Sequence, residues 1–432
     1  MRRIITVALA LLLAPALGRA DAVLDWNVTM LGIISGQNPF AQARFAAITQ
    51  LAVFEAVNAI TGDYEPYLGT LTAPGGASAE AAAAAAAHGV LRTYFPGSAA
   101  ALDAARATSL AAIPDGPAKE DGIAVGEAAP AAMVAHRAGD GSAPPQFHVP
   151  GPPMAGEWQP TPACTPAGGA LLHWAQVTPF GLDGPDQFRV GPPPALTSRR
   201  YARDYAEVMQ AGGAGSTSRP PDRADVARFY AAVAAPGAWN AAARQVSAAQ
   251  GRSLAENARA FALLNMAISD GLVATFDSKY HYDFWRPETA IRSGDADGNP
   301  RTHPDAAFAP LVTTPCFPSY PSAHAGASYA ARRVAEALYG RRGHDITLTS
   351  AAVPGVTLHY GSFAQMTRDI DDARVYGGIH FRFDQDAGGR LGRRVGAYAY
   401  RNHLRPAHGA DDRDCHEHRD VHDRREGRPE RD

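Results

Sequence analysis

The chain has 432 residues, 46% hydrophobic and 19% charged, a balance that excludes a disordered or fibrous protein and leaves room for two structural units of ordinary size. Forty Lys and Arg face forty-three Asp and Glu, for a formal net charge of −3. That argues against a nucleic-acid or anionic-membrane surface, so any anion must be held by local charge.

Residues 1–22 read as an export signal. Met1-Arg2-Arg3 is cationic, Ile4 to Leu17 is an apolar stretch too short to span a bilayer, and Ala20-Asp21-Ala22 resembles a cleavage site. The expected location is therefore secreted or periplasmic, and no later apolar run reads as a membrane span. Three cysteines, Cys164, Cys316 and Cys415, leave an odd count. Export permits one disulfide, for which Cys164 and Cys316 are the better pair because Cys415 stands in a polar tail; free buried thiols are the alternative.

Residues 23–140 form the first predicted unit, a helical bundle. Apolar residues three and four apart mark Phe40 to Ile60, Ala79 to Tyr94 is alanine-rich, and further helical stretches cover Ala99 to Ala112 and Lys119 to Ala138. A Pro/Gly-rich crossover with one helix (Thr197 to Gln210) follows over 141–222, punctured by Pro144-Pro145 and Pro192-Pro193-Pro194. Residues 223–405 form the C-terminal bundle. It holds a helix near Arg223 to Ala235, a capping box at Ser253-Leu254-Ala255-Glu256, and a helix from Ser322 to Tyr339 ended by Gly340. Alternating β-type patterns are scarce, so the fold class is all-α. Residues 406–432 read as a disordered charged tail, and Asp295-Ala296-Asp297-Gly298-Asn299 as a polar turn, since no bidentate Glu follows to complete a calcium loop.

Three clusters in the C-terminal bundle carry chemistry. In KYHYDFWRP, Lys279 precedes Arg286 by seven residues, about two helical turns, so both cations are expected on one face of a helix that Pro287 ends. Phe284 and Trp285 place that face in a buried setting. In FPSYPSAHA, Pro321 suits a helix start and Ser322, Ala323 and His324 its N-terminus, where free N–H groups and the dipole favour an anion. In RVYGGIHFRFD, Gly377 and Gly378 allow a turn between Arg374 and His380. The spacing of His380 and Asp384 predicts one helical face, on which the carboxylate fixes one imidazole nitrogen and frees the other.

Together and in this order, the three clusters resemble the signature of the superfamily of vanadium-dependent haloperoxidases and type 2 phosphatidic acid phosphatases. The FWRP and FPSYPSAHA strings lean towards the haloperoxidases. Weaker likeness, at Phe188-Arg189 and over Asn265 to Asp270, extends the resemblance across most of the chain. It implies helical bundles of which the C-terminal one carries the oxyanion site. Lys279, Arg286 and Arg374 would grip the oxyanion, with Ser322 and the backbone of Ala323 on equatorial oxygens. His380 would be the ligand of vanadate, or the phosphorylated nucleophile when phosphate occupies the site. His324 would be the acid–base residue, Asp384 the orienter of His380, and Lys279 would also polarise the reacting group. Phe317 and Phe276 mark a halide pocket. The reaction implied is oxidation of halide by hydrogen peroxide onto an organic acceptor. A secreted acid phosphatase acting on phosphate esters is the alternative, and an inactive helical binding protein is a third reading. Ala323 departs from the usual Gly, Ala373 from a Ser before the second Arg, and Phe276 from the Trp of fungal chloroperoxidases.

Overall fold

The computed structural model describes residues 21–164 and 168–407. Most of the expected export segment and of the charged tail, with Cys415, lies outside these residues. Asp21 is nevertheless part of the fold: its carboxylate accepts the N–H groups of Val23 and Leu24 and caps helix α1 (Ala22–Ile34). Asn38 caps α2 (Pro39–Thr61), which Gly62 ends at φ 68°; only a residue without Cβ takes that conformation cheaply. Next come α3 (Ala79–Tyr94), α4 (Ala99–Ala111) and α5 (Pro117–His136), close to the sequence reading.

The crossover carries α6 (Arg199–Ala211), as expected. Its long irregular part is pinned rather than loose. Buried Asp270 accepts the N–H groups of Phe180, Gly181 and Leu182, and Arg189 grips Asp277 through two hydrogen bonds of 2.7 and 2.6 Å. Cys164 is bonded to Cys316, with Cα atoms 5.4 Å apart, which decides between the two readings of these cysteines.

The C-terminal part contains α7 (Arg223–Ala232), α8 (Ala235–Gln250), α9 (Leu254–Tyr282), α10 (Pro287–Arg292) and α11 (Ala323–Tyr339). A short antiparallel hairpin of β1 (Ile346–Thr349) and β2 (Thr357–Tyr360) follows, with Ile346 opposite Tyr360. The chain ends in α12 (Phe363–Tyr376) and α13 (Arg382–Asn402). The sequence reading assigns nothing to α8, whose Pro236 sits in the first turn, where its missing N–H costs no hydrogen bond. Ser253 and Glu256 form the expected capping box. Pro406 and Ala407, the first residues of the expected tail, pair with Tyr64 and Asp63.

One apolar core runs through the described residues, from Trp26 and Phe54 to Phe261 and Val395. Helix α9 is its axis and packs on α2, α11 and α13. By length and apolar composition, α2 and α9 are each able to cross a membrane, which the sequence reading did not expect of any segment; here both are mostly buried inside the fold. Gly388, Gly392 and Gly396 recur every fourth residue along α13, where a Cβ would run into the carbonyl oxygens of Ser322, Gly326 and Ala330 on α11. That close approach brings the N-terminal ends of α11 and α13 side by side, and the site lies there.

Candidate active site

Two of the expected local geometries are corrected by the structure. Lys279 and Arg286 do not share a helix face. Asp283 turns left-handed (φ 44°) and donates its N–H to the Lys279 carbonyl, so α9 ends at Tyr282, before it reaches the arginine. Phe284 and Trp285 then run alongside residues 156–158 of the crossover, and Arg286 becomes the N-cap of α10. Pro287 opens a helix instead of closing one. Nor do His380 and Asp384 stack on one helix: His380 precedes α13, whereas Asp384 lies in its first turn and accepts the N–H of the N-cap Phe381 at 3.1 Å.

The residues converge nonetheless. Lys279 is fully buried and donates to the carbonyls of Pro318 and Ser319 at 2.7 and 2.6 Å. Arg286 donates through Nε to Phe317 O and through Nη1 to Ile379 O. Its Nη1 also stands 3.1 Å from His380 Nε2, which must accept, so Nε2 carries the lone pair. Nδ1 faces Asp384 Oδ2 at 2.8 Å and is accordingly the protonated nitrogen. The Ser319 hydroxyl donates to that same oxygen at 2.6 Å. Ser322 caps α11, and the N–H groups of Ala323 and His324 open that helix without intrahelical acceptors. His324 Nε2 and Arg374 Nη1 both donate to the carbonyl of Tyr230, at 3.1 and 3.2 Å. The Tyr230 hydroxyl is linked to that of Tyr360 in β2, which ties the hairpin to the site.

Sequence reasoning missed Ser319 and Tyr230. Ser319 stands in the quoted motif, but nothing in the spacing distinguishes its role from that of Ser322. Tyr230 acts here through its backbone carbonyl, which leaves no residue-type signal. Phe317 lies under both cations, its ring centre 4.9 Å from the Arg286 guanidinium and 5.4 Å from Lys279 Nζ. Phe276 stands behind it, wedged between Phe317 and Phe40, and so reaches the site through Phe317 rather than directly. Asp297 of the polar turn bonds Thr302 and Asn299, and among the described residues no cluster of three or more His, Cys, Asp or Glu forms a metal-cation site.

The electrostatics are lopsided. Burial, then the neighbouring guanidiniums, holds Lys279 well below its usual range; burial, reinforced by Arg374 and opposed by Asp384, brings Arg286 to about 9, and burial alone brings Arg374 to about 10. Burial, reinforced by the same cations, keeps His380 and His324 well below 6.5. Asp384 is pushed up to about 7 by burial. Three buried cations thus share one carboxylate, a costly arrangement without further negative charge. Arg286 Nη2 and Arg374 Nε have no protein acceptor. Unused buried donors on two guanidiniums, beside a helix N-terminus and an imidazole lone pair, fit a tetrahedral oxyanion such as vanadate or phosphate.

The paired helix ends of the bundle thus enclose a cluster of cations, an imidazole and a helix N-terminus. Residues 259–409 match the family model of the VCPO second helical-bundle domain, so this part of the chain is similar to the vanadium-dependent haloperoxidases. It is 28% identical over 179 residues to the vanadium chloroperoxidase of Curvularia inaequalis, a match covering 31% of this chain and 29% of that protein's length. Its fold is similar to that of a bacterial vanadium-dependent iodoperoxidase, with a TM-score of 0.73 at 24% identity over 88% of this chain and 94% of the other. It is also similar to a holo-type bacterial vanadium-dependent chloroperoxidase, with a TM-score of 0.65 at 18% identity over 90% and 93%.

Proposed function

We propose that the protein is a vanadate-dependent haloperoxidase that uses hydrogen peroxide to oxidise a halide. The observation that carries this reading is the set of donors on Lys279, Arg286 and Arg374 around the lone pair of His380, in a chain whose relatives are vanadium haloperoxidases. Bound vanadate would supply a Lewis-acidic centre that activates peroxide towards halide. His380 Nε2 would hold it, with Asp384 and Ser319 keeping the proton on Nδ1. Lys279, Arg286 and Arg374 would neutralise its oxygens, and the first turn of α11 at Ser322 and Ala323 would donate to them. His324, its Nε2–H held by Tyr230, offers Nδ1 as the position for taking and returning a proton. Phe317, under the cations, would face the halide. The Cys164–Cys316 disulfide and the export-type N-terminal sequence support action outside the cytoplasm.

The test is vanadium analysis of the purified protein after incubation with vanadate, with bromination of an electron-rich acceptor and hydrolysis of a phosphate ester assayed on the same sample. Stoichiometric vanadium with bromination supports the proposal. If vanadate only inhibits, and the vanadate-free protein hydrolyses the ester, the acid phosphatase reading replaces it.

A further inference from the structure

A cavity of about 680 Å³ adjoins the cation cluster. Its buried members include Arg374 and Ala323, next to His324 and Phe317, while its exposed members include Arg228, Ala231, Ala232 and Ala352. It therefore leads from solvent to the reacting centre. Halide and peroxide are each about as large as a water molecule, whose share of liquid volume is about 30 Å³, so neither accounts for this space. The volume matches sites that enclose organic ligands, roughly 300–1,000 Å³. Its walls are mostly alanine, proline, leucine, valine and phenylalanine, with Thr313 and His324, and no carboxylate among the described residues lines it. Apart from Arg374, the one cation among the described residues that lines it is Arg228 at the mouth, 3.1 Å from Asp225.

We propose that this cavity holds the organic acceptor, an apolar electron-rich aromatic of one or two rings, with any single anionic group directed to Arg228. This rests on the haloperoxidase reading and adds to it that halogen transfer happens on the enzyme rather than through released oxidant. The reaction balances as R–H + X⁻ + H2O2 + H⁺ giving R–X and two waters. The halide gives up two electrons and the peroxide O–O bond takes them. The carbon–halogen bond forms as the C–H bond breaks, and the released proton ends in water.

The experiment is fluorescence titration of the full chain, without vanadate, using 6-hydroxy-2-naphthoate and neutral 2-naphthol as probes. Both are expected to bind saturably. Ala232→Trp on α7 and Val353→Trp on the hairpin turn, which fill the cavity from different elements, are each expected to weaken binding about tenfold or more, a loss of about 1.4 kcal/mol. Arg228→Gln is expected to weaken naphthoate alone, by roughly two- to fivefold, the range of an exposed ion pair. The sulfate-induced rise in melting temperature, read on the same variants, reports whether the oxyanion site is intact. Binding that does not saturate, or that is unchanged in both tryptophan variants, overturns the acceptor site while leaving the haloperoxidase reading standing. Saturable naphthoate binding in a protein that captures neither vanadate nor sulfate overturns the haloperoxidase reading, and the acceptor role with it.

Discussion

His380 Nδ1 lies 2.8 Å from Asp384 Oδ2, although the histidine stands outside the helix that carries the aspartate. The carboxylate thereby does two jobs, orienting the imidazole and capping α13 through the Phe381 N–H. Asp384→Asn keeps the shape and removes the charge. It should weaken vanadate capture or turnover by roughly 10–100-fold, as lost outer-shell partners of metal-binding histidines do, and lower stability by no more than about 0.5–2 kcal/mol, the range for a lost cap. Vanadate titration and thermal melting measure the two effects. Wild-type vanadate affinity in the variant contradicts the orienting role.

The two histidines should separate by experiment. His380→Ala removes the lone pair that would hold vanadate, so vanadium should no longer copurify and turnover should vanish. His324→Ala should keep most oxyanion binding while losing roughly 10²–10⁴ in turnover, the range for one general acid–base group. Vanadium content and rate, measured on both, give the answer. The assignment fails if His380→Ala retains near-normal activity.

Sulfate, a dianion throughout the range of interest, should bind more tightly as pH falls. Burial, and then Arg374, depresses His324 in the free protein, so the neutral imidazole favours the fold above its usual 6.5 and that contribution is lost as pH falls. A bound dianion raises the same pKa, and the complex then holds more protons than the free protein. Calorimetry in buffers of different ionisation enthalpy at pH 6 should show proton uptake, reduced in His324→Ala. Equal uptake in both would point to Asp384 or His380 instead.

Gly392→Ala should destabilise the protein despite alanine's better helix propensity. The new methyl meets the Gly326 carbonyl on α11, and forced overpacking costs about 1–3 kcal/mol against roughly 1 kcal/mol gained from propensity. Parting α11 from α13 should also weaken sulfate binding. Gly32 on α1 has open space around its would-be Cβ, so Gly32→Ala should be neutral or stabilising. Melting temperatures of the pair decide whether close packing or backbone freedom sets the effect.

Replacing Cys164 and Cys316 by serine should lower stability by about 2–4 kcal/mol, the usual range for a native cross-link, because the bond closes a loop of 152 residues. Cys316 also adjoins Phe317, whose carbonyl holds Arg286 Nε. The double variant should accordingly bind sulfate more weakly at a temperature where it is still folded. Unchanged affinity with lowered stability would confine the disulfide to a scaffold role.

The sequence by itself determined the helical class, most helix ends and most of the side chains that converge at the candidate site. Caps, prolines and apolar spacing act within a few residues, so Ser253 with Glu256 and the run from Ala79 to Tyr94 could be read directly. The order of Lys279, Arg286, Ser322, His324, Arg374, His380 and Asp384 carried a family signature. Only the tertiary structure decided how these residues meet. That Asp283 ends α9 early, that Arg286 reaches back from the start of α10, and that Tyr230 offers a carbonyl to both His324 and Arg374 depend on contacts between segments far apart in the chain. Local propensity cannot report them, because hydrogen bonds to backbone groups leave no mark in residue type. The cavity beside the site is decided the same way, by small side chains on α7, α8 and the hairpin turn that look, in sequence, like any others.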